Sequence, residues 1–163
     1  MILVLLLYIH FPRATVPSIV FYNLHNCAAV HFIEADNSSY LCSNRKDSTY
    51  IYMKNIAETY WKRKKMPIPH LLLSDYEGRN VWSHKGIVHW RGMNICMVTD
   101  GYWRNKSATN LLDIDYMYLC KGYKGEIAPL QKLFHIKRIV LDASLGDYKL
   151  KAYKLSLIHI SEP

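Results

Sequence analysis

The residues of this chain that could do chemistry are mostly cations beside aromatic rings. Lys62, Arg63, Lys64 and Lys65 follow Tyr60-Trp61, Lys121 and Lys124 bracket Tyr123, and Arg104 and Lys106 follow Tyr102-Trp103. Cations neutralise phosphates, and exposed aromatic faces stack unpaired bases without reading sequence. Lys62, Arg63, Lys64, Lys65, Lys121, Tyr123 and Lys124 are therefore the candidate nucleic-acid-binding residues. A plainer reading competes: lysines that end a helix complement its dipole in solvent, and tyrosine is a favoured strand residue. Thirteen Tyr and four Trp outnumber four Phe, so many rings carry a polar edge suited to a wet surface.

Catalytic patterns are sparse. The histidines (His10, His25, His31, His70, His84, His89, His135 and His159) form no H-x-H or H-E-x-x-H arrangement. His84 and His89 flank a strand start and are expected to face opposite sides of it. Asp113 and Asp115 could act as paired carboxylates on one strand face, although acids at a strand mouth are ordinarily solvated. Ser144 lacks a Gly-x-Ser-x-Gly elbow and reads as the N-cap of a final helix. The stretch GYKGE has too few glycines for a phosphate loop. Cys27, Cys42, Cys96 and Cys120 make no C-x-x-C pair and read as buried thiols. No catalytic residue, no metal ligand set and no cofactor follows from these patterns.

The elements that must position these residues come from 163 residues, 50% apolar and 21% charged, enough to bury one domain's core. The formal charge of +8 favours anionic partners and says nothing of fold. Residues 18–23, 28–33 and 40–42 read as a three-strand meander. A helix begins at Asp47-Ser48, repeats Tyr52/Met53, Ile56/Ala57 and Tyr60/Trp61 every four residues, and ends in residues 62–65 before Pro67 and Pro69. Residues 87–90 and 93–98 flank Arg91-Gly92, a two-residue hairpin signal. A strand over 114–120, a loop over 121–125, a helix over 126–134 and a strand over 138–141 make a βαβ unit, which implies a parallel pair. The final helix carries Tyr148, Ala152 and Tyr153 on one face. The fold class is α/β, a β-meander plus a βαβ unit in a single domain over 14–154.

Both ends read differently. Residues 1–13 begin with MILVLLLYIHF, shorter than the roughly 17–25 apolar residues that span a bilayer. This segment reads either as a buried strand or as the truncated tail of a transmembrane helix. Residues 155–163, LSLIHISEP, read as a non-native tail, so the chain is expected to be a fragment.

Two stretches carry a resemblance. IVFYNLHNCAAVHFIEADNSSYLC, residues 19–42, is similar to the segment that follows the membrane region of ComEC-type competence proteins, especially Bacteroidetes-like ones. DYMYLCKGYKGEIAPLQKLFHIKRIVLDASLGDYKLKAYK, residues 115–154, resembles the next block of the same family. The likeness implies a degenerate, partial metallo-β-lactamase-like sandwich. In the wider family a hairpin carries "D-V-G-Q-G-D" and a loop carries "S-H-x-H-x-D-H-x-G-G-L". Here those motifs fall on residues 23–28 (NLHNCA) and 120–130 (CKGYKGEIAPL), placing Lys121 and Tyr123 at histidine positions, Gly125 at the Asp and Glu126 at the last His. A hydrolytic zinc site needs about three protein ligands, and a lysine repels the ion.

The resemblance thus implies a non-catalytic accessory domain of a membrane DNA-uptake (natural transformation) channel, contacting the DNA phosphate backbone. Its partners would be the transmembrane channel region of the parent protein and single-stranded DNA. It would sit at the bacterial inner membrane, with the periplasmic face favoured. Two alternatives stay open: a divergent metal-dependent nuclease or hydrolase using Glu126, Asp142 and nearby histidines, and a purely structural interaction domain.

Overall fold

A computed structural model describes residues 16–24, 27–36, 38–43, 47–72, 75–142 and 144–160. The expected meander is present as β1 (Ser18–Leu24), β2 (Cys27–Ile33) and β3 (Ser39–Ser43), paired antiparallel in sequence order. A short strand, β4 (His70–Leu72), lies parallel to β3 and completes a four-stranded sheet. Along β2, Ala28, Val30 and Phe32 face one way and Ala29 and His31 the other, and all five are buried. A strand buried on both faces needs a covering layer on each side.

One layer is helix α1 (Asp47–Lys64), whose Ala57 and Trp61 pack on Tyr22, Ala29 and Leu41. The other is a second, six-stranded sheet built from β5 (Tyr76–Glu77), β6 (Val81–His84), β7 (Ile87–Trp90), β8 (Met93–Val98), β10 (Tyr116–Leu119) and β12 (Ile139–Leu141). Its order is β12-β10-β8-β7-β6-β5. Val88, Trp90, Ile95, Met97 and Tyr118 meet Ala28, Val30 and Phe32 between the sheets. Residues of the opposite parity, Cys96, Val98, Met117 and Leu119, pack on the far face against α2 (Ile127–Gln131) and α3 (Asp147–Ile160) through Ile127, Leu130 and Tyr153. The layers run α/β/β/α, and the period-2 alternation of each strand sorts its side chains between two cores.

The parallel pair of the βαβ unit is β10 beside β12, but several boundaries differ from expectation. The strand expected over 114–120 breaks at Asp115 into β9 (Leu112–Ile114) and β10, which lie in different sheets. At the break, Asp115 Oδ2 accepts the Asn94 amide at 2.8 Å and Oδ1 accepts Lys137 Nζ at 2.8 Å. The helix expected over 126–134 stops at Gln131, because the chain turns through Lys132–Leu133 and Phe134 enters β11 (Phe134–Ile136), parallel to β9. The last helix starts at Asp147 rather than near Ser144, with Gly146 O accepting the amide of Leu150. On that helix Tyr153 is buried, whereas Tyr148 and Ala152 are exposed; Leu150 and Leu157 share the packed face.

His84 and His89 flank the start of β7, but they do not face opposite sides of the sheet. Lys85 (φ 47) and Gly86 (φ 82) turn the chain between β6 and β7, as Arg91 (φ 49) and Gly92 (φ 78) do between β7 and β8. Positive φ at both central residues is the type I′ geometry that matches strand twist. Trp82 pairs with His89 across β6 and β7, and His84 lies two residues on from Trp82, so both histidines share a face. Asp113 and Asp115 do not pair as carboxylates: Asp113 meets His135 at 2.9 Å while Asp115 meets Lys137. Among the described cysteines, Cys96 and Cys120 are buried and Cys42 is partly exposed, all as free thiols. Burial pushes the thiols of Cys42 and Cys96 up to about 12, so both stay protonated and inert near neutrality. The hydrophobic segment read as a buried strand or a truncated transmembrane tail (1–13), the side chains of Asp47-Ser48 and the end of the tail (161–163) fall outside the described residues.

Candidate nucleic-acid interface

Lys62, Arg63, Lys64 and Lys65 are all exposed at the C-terminal end of α1. Trp61 anchors that end by its indole, which donates to Tyr22 Oη at 2.6 Å. The helix closes as a Schellman motif: the amide of Met66 bonds Trp61 O at 2.9 Å and the amide of Lys65 bonds Lys62 O at 3.1 Å. Lys65 therefore occupies the left-handed position (φ 52) that glycine favours. Lys62 pairs with Glu58 one turn earlier at 2.8 Å, an exposed pair that holds the Glu58 carboxyl below its usual range. The helix end is thus a rigidly seated cluster of cations.

The second predicted group divides. Lys121 and Lys124 are exposed, whereas Tyr123 is 2% exposed in the helix-side core, where its hydroxyl donates to Glu126 O at 2.7 Å. Tyr123 has no face to offer a base, which corrects its assignment as a stacking residue. The cause is Gly122 (φ 110), whose Cα lies so close to Thr99 O that a Cβ would collide with it, and the turn there directs the next ring inward. The two basic groups sit on different layers, one outside the four-stranded sheet and the other at the end of the six-stranded one.

This loop follows the carboxyl end of β10, next to the ends of the parallel strands β8 and β12. Open α/β sheets commonly place their ligands at such a crevice. Here a buried carboxylate fills it. Asp142, 2% exposed, accepts the Tyr118 hydroxyl on Oδ1 and the Ser144 hydroxyl on Oδ2, and the Ser144 amide at 3.0 Å on the same oxygen. Ser144 Oγ in turn accepts the Lys121 amide at 3.2 Å, so Ser144 ties the loop down rather than capping a helix. Burial first, then the bond to Asp142, pushes the Tyr118 phenol far above its usual range. Glu126, the other proposed ligand, is exposed before α2. Among the described residues no three His, Cys, Asp or Glu side chains come together as a metal-holding group.

A third region was not singled out from residue order. Trp82 on β6 is 41% exposed and stacks on His89 of β7, with ring centroids 5.7 Å apart and planes 13° from parallel. His89 Nδ1 bonds Asn94 Oδ1 at 2.7 Å. Trp82, His89 and Asn94 are successive cross-strand partners on β6, β7 and β8, so the sheet itself holds them in a row. A cleft of about 470 Å³ beside the row is lined by Arg79, His89, Arg91 and Gly92, among others. Arg91 is fixed by the buried Glu34, which takes its guanidinium at 2.9 Å and the Trp90 indole N–H at 2.6 Å. The usable signal was the Lys85-Gly86 turn, which places Trp82 opposite His89.

Residues 19–160 match the family model described as the ComEC C-terminal domain. No curated protein and no solved structure matches the chain. Among the described residues no helix is long and apolar enough to cross a membrane.

Proposed function

The chain belongs to the ComEC C-terminal domain family, and from that premise we propose that it is a non-catalytic accessory domain that holds or guides the phosphate backbone of single-stranded DNA. Membership supports a role in competence DNA uptake, as part of a membrane-associated protein. The finer reading is carried by one observation: the exposed cations at residues 62–65, of which only Lys62 has an ion-pair partner among the described residues, on a chain of net charge +8. Such a cluster binds phosphates by releasing condensed counterions, without reading sequence.

The absence of catalysis is supported by how Asp142 is used. Both of its oxygens are engaged by Tyr118 and Ser144, so it is not poised to ligate an ion or take a proton. The α/β/β/α layer order and the position of the 120–130 loop at the strand ends support reading the fold as a degenerate metallo-β-lactamase-like sandwich. Partnership with a transmembrane channel region follows from the family and is part of the same proposal.

Filter binding of the full 163-residue chain to single-stranded DNA at low salt tests the reading. Binding is expected to weaken about tenfold or more when Lys62, Arg63 and Lys64 are changed together to Glu. No retention at low salt would remove the DNA-contact reading and leave a structural interaction domain. Cleavage of the DNA on adding zinc or manganese would replace it with the nuclease reading.

A further inference from the structure

Trp82 stands between two clefts of opposite character. On one side lies the cleft lined by Arg79, His89, Arg91 and the backbone of Gly92. On the other lies a cleft of about 530 Å³ lined by Asp75, Tyr76, Glu77 and His84. We propose that this rim is a nucleotide subsite with a base preference: a phosphate sits between Arg79 and Arg91, the base lies against the Trp82 indole, and the base's exocyclic amino group donates to Glu77 or Asp75. The subsite rests on the DNA-contact reading above and adds to it a discrimination among bases.

The geometry favours this occupant for three reasons. First, the platform is already ordered: stacking on His89 and the His89–Asn94 bond hold the indole, so little conformational entropy is lost on binding. Second, the cation side carries no carboxylate in its lining. Arg91 is oriented by Glu34, Arg79 interacts electrostatically with Asp36, and Gly92 leaves open space where a side chain would stand. A guanidinium fork suits a phosphate. Third, Glu77 is the direct cross-strand neighbour of Trp82, and Asp75 is held at 2.8 Å by His84. Two carboxylates repel a phosphate from that side and accept hydrogen bonds from amino groups, so the nucleotide has one orientation. Cytosine presents an N4 amino donor to a carboxylate, while thymine presents the O4 acceptor in its place.

Tryptophan fluorescence and anisotropy on the full chain, with oligo-dC and oligo-dT of equal length at low salt, provide the test. Oligo-dC is expected to quench the emission and to bind about fivefold or more tightly than oligo-dT. Trp82→Phe is expected to remove the quench and weaken both, and Glu77→Gln combined with Asp75→Asn to bring the two oligomers to parity. Far-ultraviolet circular dichroism checks that each variant is folded. Equal affinity of the unaltered chain for dC and dT, or a quench that survives Trp82→Phe, would overturn the subsite. If reversing Lys62, Arg63 and Lys64 abolishes binding while the Trp82 change leaves it untouched, the DNA-contact reading stands and the subsite falls.

Discussion

The strand-end crevice and the Trp82 rim use polar groups in opposite ways. In the crevice, Asp142 is buried and engaged by Tyr118 and Ser144, and Ser144 also holds the Lys121 amide. At the rim, Trp82 is held by its stack on His89 and Arg91 by its bond to Glu34, yet both, like Arg79 in the turn between β5 and β6, stay open to solvent. The contrast separates structure from recognition. Polar atoms that satisfy one another inside the protein stabilise it and have nothing left for a ligand, whereas fixed polar atoms at a surface can still bind.

The comparison breaks most visibly at Asp142. Asp142→Ala leaves the Tyr118 hydroxyl and the Ser144 hydroxyl without their acceptor, and the expected loss is about 4 kcal/mol of unfolding free energy in urea titration. A change under about 1 kcal/mol would mean that the crevice is not a sealed structural centre.

A second sealed centre, between the four-stranded sheet and α1, sharpens the contrast because it carries a defect. Trp61 donates to Tyr22 Oη, which at 2.9 Å donates to His31 Nδ1; the His31 proton is then on Nε2, which is buried without a partner. Burial depresses the His31 pKa from 6.5 to about 4 and pushes the Tyr22 phenol up to about 12. Between pH 4 and pH 6.5 the unfolded chain holds a proton on His31 that the folded chain refuses. The His31 contribution is therefore constant above pH 6.5, falls by roughly 3 kcal/mol in total as pH drops from 6.5 to 4, and levels off below that. The checking measurement is urea unfolding at pH 7 and at pH 4 for the unaltered chain and His31→Phe. The unaltered chain is expected to lose more stability than the variant by that amount, and parallel losses would contradict it.

On the open side, Lys65 sits at a left-handed position that glycine fills with less strain. Lys65→Gly is expected to raise stability by about 1 kcal/mol while weakening DNA retention slightly, read from thermal unfolding and filter binding together. The smallest expected stability effect is at the rim: Trp82→Ser should stay within about 0.5 kcal/mol, because the indole is exposed and stacked on one side only. A larger loss would place Trp82 among structural residues.

These regions were unequally legible in the residue order. The meander, α1 with its Ala57 and Trp61 face, the Arg91-Gly92 hairpin and the parallel β10–β12 pair follow from local periodicity and turn chemistry. Exposure of the residue 62–65 cluster followed from the same helix. The Trp82 row did not, because cross-strand neighbours depend on register, and the register there is set by the Lys85-Gly86 turn. Tyr123 was misplaced because alternation of cation and ring looks alike whether the ring turns out or in; the close approach of Gly122 to Thr99 decides it. The break at Asp115 depends on Asn94 and Lys137, which are distant in sequence.

The central claim, that this domain grips DNA electrostatically and does not cut it, is tested most directly by the salt dependence of its binding to end-labelled single-stranded DNA, with the strand inspected afterwards. The prediction is an affinity that falls linearly in log–log form between about 50 and 200 mM salt, a slope that is shallower when Lys62, Arg63 and Lys64 are reversed, and an intact strand throughout. A salt-independent affinity, no binding at the low-salt end, or a shortened strand would contradict it.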